Sequence, residues 1–238
     1  MSEEDDLFHT TIPLALDAID QSDSFEAIAR LLCAGEPRRV MQCFHLVVRE
    51  LFSQRKLPQM VWIGRAGIGH ALREAHATGD AALRSDLLSA ARKLSYNVSS
   101  HLWPGWADDA VHPTQSDLEA AIDLARLHHR LVLEESLGPE SVGNAGWLLG
   151  AQRLALGQEF AAQQAFETAK AAYLQAGQPA SISMAEGFLA LSLHLLGTMA
   201  TEGQRRFDAA IGELKTLGDE GEFFADQLQT AQRVFLAP

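Results

Sequence analysis

Trp147-Leu148-Leu149-Gly150-Ala151-Gln152-Arg153-Leu154-Ala155-Leu156-Gly157-Gln158-Glu159-Phe160-Ala161-Ala162-Gln163-Gln164-Ala165-Phe166-Glu167-Thr168-Ala169 is the stretch on which the fold turns. Ala, Leu, Gln, Glu and Arg are good helix formers and dominate it. Gly157 interrupts it, which predicts one helix over about 140–157 and another over 159–176. A link that short cannot carry the chain back to the far end, so the two helices run antiparallel. Gly150, Gly157, Ala162 and Ala169 are small where the two rods would touch, and the Phe166 ring fills the groove left beside them.

The same punctuation reads outward in both directions. Phe8, Ile12, Leu16 and Ile19 keep helical spacing around Pro13. Ser24 is a cap for a short helix carrying Phe25, Ile28, Ala29 and Leu32, stopped by Gly35. Pro37 opens a helix with Val40, Met41, Phe44, Val47, Val48, Leu51 and Phe52 inward, and Pro58 opens another running to about Thr78. Asp80 caps the next, which carries Leu83, Leu87, Leu88, Ala91, Leu94 and Val98. The period fails over 99–113, an irregular loop, and Thr114 with Asp117 restarts helix as a capping box. Further helices follow over about 180–199, 204–218 and 220–235. No segment alternates apolar and polar residues as a half-buried strand does. The expectation is one all-α domain over 1–238, with about ten or eleven helices in antiparallel hairpins and an acidic tail at 1–6.

Composition narrows the function classes. The chain has 238 residues, 47% hydrophobic and 21% charged, which suits a globular domain. Lys and Arg number 19 against 31 Asp and Glu, a net charge of −12. That balance opposes nucleic-acid binding, which needs a basic footprint. Two cysteines, Cys33 and Cys43, are spaced neither as a redox pair nor as a zinc knuckle and read as free thiols. The start Met1-Ser2-Glu3-Glu4-Asp5-Asp6 opposes a secretory signal, and no run is long and apolar enough to span a bilayer. A cytoplasmic location without membrane contact is expected, so the sequon at Asn97 is silent.

Leu149, Gly150, Gly157, Ala162, Phe166 and Ala169 match a tetratricopeptide unit in type and spacing, so this segment resembles a tetratricopeptide repeat. Trp147 stands one residue too close to Leu149-Gly150, Arg153 replaces a tyrosine, and Pro179 arrives late. Gly203, Phe207 and Ala209-Ala210 echo the unit at a longer offset than the family's, and the Gly79-Asp80 hairpin echoes its turn. The resemblance implies hairpins stacked as a right-handed superhelical array whose concave face binds peptides or proteins. On the matching segment Asn144, Gln152 and Arg153 would line that face. The Lys, Arg and Asn pattern with which some members clamp acidic peptide ends is lacking.

Catalytic and metal motifs are missing in turn. There is no HExxH and no di-iron Glu-x-x-His pair. His70 and Glu74 share a helix face, whereas the adjacent His128 and His129 diverge and cannot easily share an ion. Gly64, Gly67 and Gly69 fall mid-helix among Ile63, Ala66, Ile68 and Ala71, where close helix contact explains them better than a phosphate loop. No nucleophile elbow occurs, and Cys43 and His45 point apart on one helix. The best binding candidate is the 99–113 segment, with His101, Trp103, Trp106 and His112 beside Asp108-Asp109. Tryptophans are enriched at binding hot spots, but the same two would also plug a loop onto its helices. Solvent access to a tryptophan distinguishes the two.

The sequence therefore suggests a non-catalytic protein-interaction or scaffold module, with no cofactor and no metal. Its partner is a protein or peptide of basic or apolar character, given the acidic charge. A helical-bundle enzyme or small-ligand binder using the Trp/His loop is the first alternative, and a homo-oligomer covering its own terminal faces is the second.

Overall fold

Proline, glycine and short polar caps divide the chain into helices. The computed structural model describes residues 10–197 and 199–237. The acidic tail expected at 1–6 lies outside them. Among the described residues there are eleven α-helices, one 3-10 turn and no strand. The helices are α1 Ile12–Asp20, α2 Ser24–Leu32, α3 Pro37–Ser53, α4 Leu57–Ala77, α5 Ala81–His101 and α6 Gln115–Glu134. They continue as α7 Pro139–Ala155, α8 Glu159–Ala176, α9 Pro179–Leu195, α10 Ala200–Leu214 and α11 Gly218–Phe235, with the 3-10 turn at Pro104–Trp106.

Proline stands in the first two positions of α1, α3, α4, α7 and α9, where a missing N–H costs nothing. Asp80 accepts from the N–H groups of Ala82 and Leu83 at 2.8 and 3.2 Å. Thr114 and Asp117 form the capping box: Thr114 N–H donates to Asp117 at 2.9 Å, and Asp117 N–H donates to Thr114 Oγ1 at 3.3 Å. One cap differs from expectation. Asp23, not Ser24, caps α2 by accepting from Glu26 N–H at 2.8 Å, because the helix begins at Ser24 itself.

The contacts divide the chain into two compact units, one ending at His101 and one beginning at Leu102. The boundary falls inside the stretch expected to be an irregular loop of a single domain. That stretch is also shorter than 99–113. Ser99 is fully buried, and Ser99, Ser100 and His101 complete the last turn of α5. In the first unit each helix packs on its sequence neighbour and on the next but one: α1 on α3, α2 on α4, α3 on α5. In the second unit each helix from α6 to α11 packs on its sequence neighbour, and α9 also packs on α11.

The α7–α8 hairpin shows why the small residues are there. A Cβ on Gly150 would lie 2.6 Å from the Phe166 ring, and one on Gly146 would lie 3.2 Å from the Ala169 Cβ. Gly143 receives the Tyr173 ring in the same way, at 2.5 Å. Three glycines on one face of α7 thus make a trench that Tyr173, Ala169 and Phe166 of α8 fill. Gly157 plays a different part from the seam role its spacing suggests. Its φ of +65° turns the chain between the helices, and a Cβ there would meet only the end of Glu159. In the first unit Gly64 and Gly67 admit Val98 and Phe44 at 2.7 Å each, which accounts for two of the three mid-helix glycines.

Candidate functional site

Trp103 sits just before the 3-10 turn and is 1% exposed. Its Nε1–H donates to the Ala151 carbonyl of α7 at 3.1 Å. Its ring meets Trp147 of α7 at 5.5 Å, Phe188 of α9 at 5.7 Å and Phe235 of α11 at 6.3 Å between centroids. The chain's own segment therefore fills the space among three alternate helices of the second unit. Gly105 is obligatory for this, since a Cβ would lie 2.3 Å from the Trp103 ring. Trp106 packs edge-on against Trp103 at 4.9 Å, nearly perpendicular, and lies 6.0 Å from Trp147. Rings at these separations touch, so the nest holds itself together and leaves no slot between them for a guest. Trp147 Nε1 is buried there without a hydrogen-bond partner, a burden of about 1–3 kcal/mol that the ring packing offsets. Trp106 keeps 38% of its surface and is the one tryptophan of the segment that solvent reaches.

The two histidines of the segment do not join this nest. His101 belongs to the first unit and stacks on Phe52 at 3.8 Å, with Arg55 over the same Phe52 ring. Burial, helped by the Arg55 charge, lowers its pKa. His112 is exposed. Asp108 accepts from Ala110 N–H at 3.0 Å and so shapes the turn. Asn144, Gln152 and Arg153 do not form one open face either. Asn144 is exposed and accepts from Tyr173 Oη at 2.8 Å. Gln152 is fully buried. Arg153 donates to the Ala161 carbonyl at 2.7 Å, tying α7 to α8 from the position where the repeat pattern has tyrosine. Burial first, and then Arg126, lower its pKa.

The remaining chemical candidates are quiet. Among the described residues no group of three His, Cys, Asp or Glu is placed to hold a metal. His70 and Glu74 approach only to 4.0 Å. Burial pushes the Cys43 thiol up to about 11, the wrong direction for a nucleophile. No described helix is long and apolar enough to cross a membrane.

Sequence reasoning missed a surface on the first unit. The apolar residues read at helical spacing on α2 largely face out: Phe25 is 75% exposed and Leu32 38%, Ile28 is half-buried, and Ala27 and Leu31 are buried. Phe25 packs edge-on against Trp62 of α4 at 5.4 Å, and Trp62 is itself 43% exposed. Beside them lies a cavity of ≈ 420 Å³ lined by Pro58, Val61, Trp62, Arg65 and Ala66. The warning in the sequence was that α2 offers two rival apolar stripes one residue apart. Compared with family models and with curated protein sequences, the chain matches none.

Proposed function

We propose that the protein is a non-catalytic interaction module of tetratricopeptide-like type, and that it docks a partner protein through an apolar surface on α2 and α4. The observation that supports this most is the outward stripe of α2. Phe25, Ile28 and Leu32 together with Trp62 and the adjoining cavity put large apolar side chains in water on a helical scaffold. Contiguous apolar surface of this kind marks interaction sites in folded proteins, and Phe and Trp are the residues that carry binding energy when covered. The order of packing, each helix on its sequence neighbour and, through the first unit, also on the next but one, is that of stacked hairpins and supports the repeat-like reading. The partner surface is apolar, in keeping with a chain whose charge of −12 repels acidic proteins.

The test compares the wild-type chain with the double variant F25S/W62S. Both side chains are exposed, so circular dichroism and the melting temperature are expected to stay close to wild type. A partner that co-purifies with the wild-type chain is expected to be lost from the variant. Covering of Trp62 is expected to shift its fluorescence to the blue. A wild-type chain that is dimeric by light scattering and becomes monomeric in the variant would instead make this a self-interface and overturn the reading. So would a partner retained by the variant.

A further inference from the structure

In the first unit the space between the alternate helices α3 and α5 is open, a cavity of ≈ 390 Å³. The two helices run parallel, because Arg38 meets Asp86 near their starts and His45 meets Ala90 further along. We propose that this groove binds a small organic acid: a carboxylate with a neighbouring hydroxyl or amide donor and a short apolar side chain. Met41 and Leu87, 2% and 0% exposed, form an apolar floor.

The polar rim is asymmetric. At one end Arg38 is held by Asp86 at 2.8 Å and by Glu36 at 3.5 Å, so its charge is already answered. At the other end stands Lys93, exposed and with no ion-pair or hydrogen-bond partner among the described residues. About 10 Å of helix rise separates positions 86 and 93, about one screening length, so Asp86 does not neutralise the lysine. Lys93 is thus an unanswered cation over a half-closed apolar floor, in a chain that is otherwise strongly acidic.

His45 supplies the second contact. Its Nε2 lies 3.2 Å from the Ala90 carbonyl, which can only accept, so Nε2 carries the hydrogen and Nδ1 keeps its lone pair. Burial, and then the neighbouring Lys93, lower the pKa of this ring while the Ala90 bond opposes them, so the ring is neutral at pH 7. Nδ1 is not among the atoms sealed from solvent, and His45 lines the cavity. A ligand hydroxyl or amide donates to Nδ1 while its carboxylate meets Lys93, with the Gln42 amide and the Ser89 hydroxyl beside them. The cavity volume suits a molecule of this size.

The full chain, labelled with nitrogen-15, is titrated with 2-hydroxyisocaproate, with its methyl ester and with inorganic phosphate. Expected with the acid are saturable amide shifts confined to the helical turns at 42–45 and 89–93. The ester is expected to bind at least about tenfold more weakly, phosphate likewise, and Lys93→Met is expected to weaken the acid about tenfold. Lys215→Met, in the other unit, leaves it unchanged. Because Lys93 is exposed, the unshifted remainder of the spectrum checks that the variant is folded. No saturable shift with the acid, shifts centred elsewhere, equal binding of ester or phosphate, or a Lys93→Met variant that binds as wild type would each overturn the proposal.

Discussion

Glu186 of α9 is 22% exposed and takes Lys170 of α8 at 2.6 Å and Arg206 of α10 at 2.5 Å. One carboxylate thereby joins three consecutive helices. Burial by itself would raise this carboxyl; the hydrogen bonds from Lys170 and Arg206 outweigh it and hold its pKa below the ordinary value. A lowered carboxyl stabilises the fold fully above the unfolded value of about 4.3, and that stability drains away as pH falls through the lower folded value. Glu186→Gln is expected to cost roughly 1–2 kcal/mol at pH 7, since the partners are part-exposed. The gap between wild type and variant should shrink in acid, as pH falls through the lowered folded value and both side chains become neutral. Urea midpoints at pH 7 and in acid check this; an equal gap at both would mean that the carboxylate's charge contributes nothing. None of this was legible beforehand, because the three residues lie far apart in sequence and only hairpin packing joins them. Arg153 was legible as a departure from the repeat pattern, but its bond to the Ala161 carbonyl was not.

At the scale of the element, the α7–α8 seam was readable and the orientation of α2 was not. Gly150, Ala162 and Ala169 were small at the right spacing, and Gly150 and Ala169 lie in the seam while Ala162 is fully buried. Gly150→Ala would gain about 1 kcal/mol of helix propensity but place its Cβ 2.6 Å from a fully buried ring. Overpacking of that kind costs about 1–3 kcal/mol. A net loss of about 1 kcal/mol is expected by urea denaturation, with Gly157→Ala destabilising for a different reason, its φ of +65°. A Gly150→Ala protein more stable than wild type would mean that the ring has room to move. Spacing placed Phe25, Ile28, Ala29 and Leu32 together on α2 without deciding which face is buried. The neighbours of α2 bury Ala27 and Leu31. The Trp/His segment was half legible: Trp103 and Trp106 do come together, whereas His101 caps a different unit and His112 stays in water.

Across the whole molecule the charge of −12 is carried by a chain in which exposed ion pairs such as Arg205–Glu202 and Arg126–Asp123 are short-range and weak. Self-repulsion of the remaining carboxylates opposes compactness and is screened by salt. Raising NaCl from about 0.05 M to 0.5 M is expected to raise the melting temperature by about 2–4 °C, the equivalent of about 1 kcal/mol in a chain of this size. A fall in melting temperature instead would show that the surface pairs outweigh the repulsion. The sequence by itself determined the all-α class, the helix starts at Pro37, Asp80 and Thr114, and the close seam between α7 and α8. Each rests on groups that act within about one turn of helix or on a small residue that serves any close neighbour. Tertiary structure alone decided that the chain parts at His101, that α2 turns its large apolar side chains to water, and that Trp103 fills one set of alternate helices while the gap between α3 and α5 stays open. Burial is a property of the pair in contact, and a local pattern names only one member of that pair.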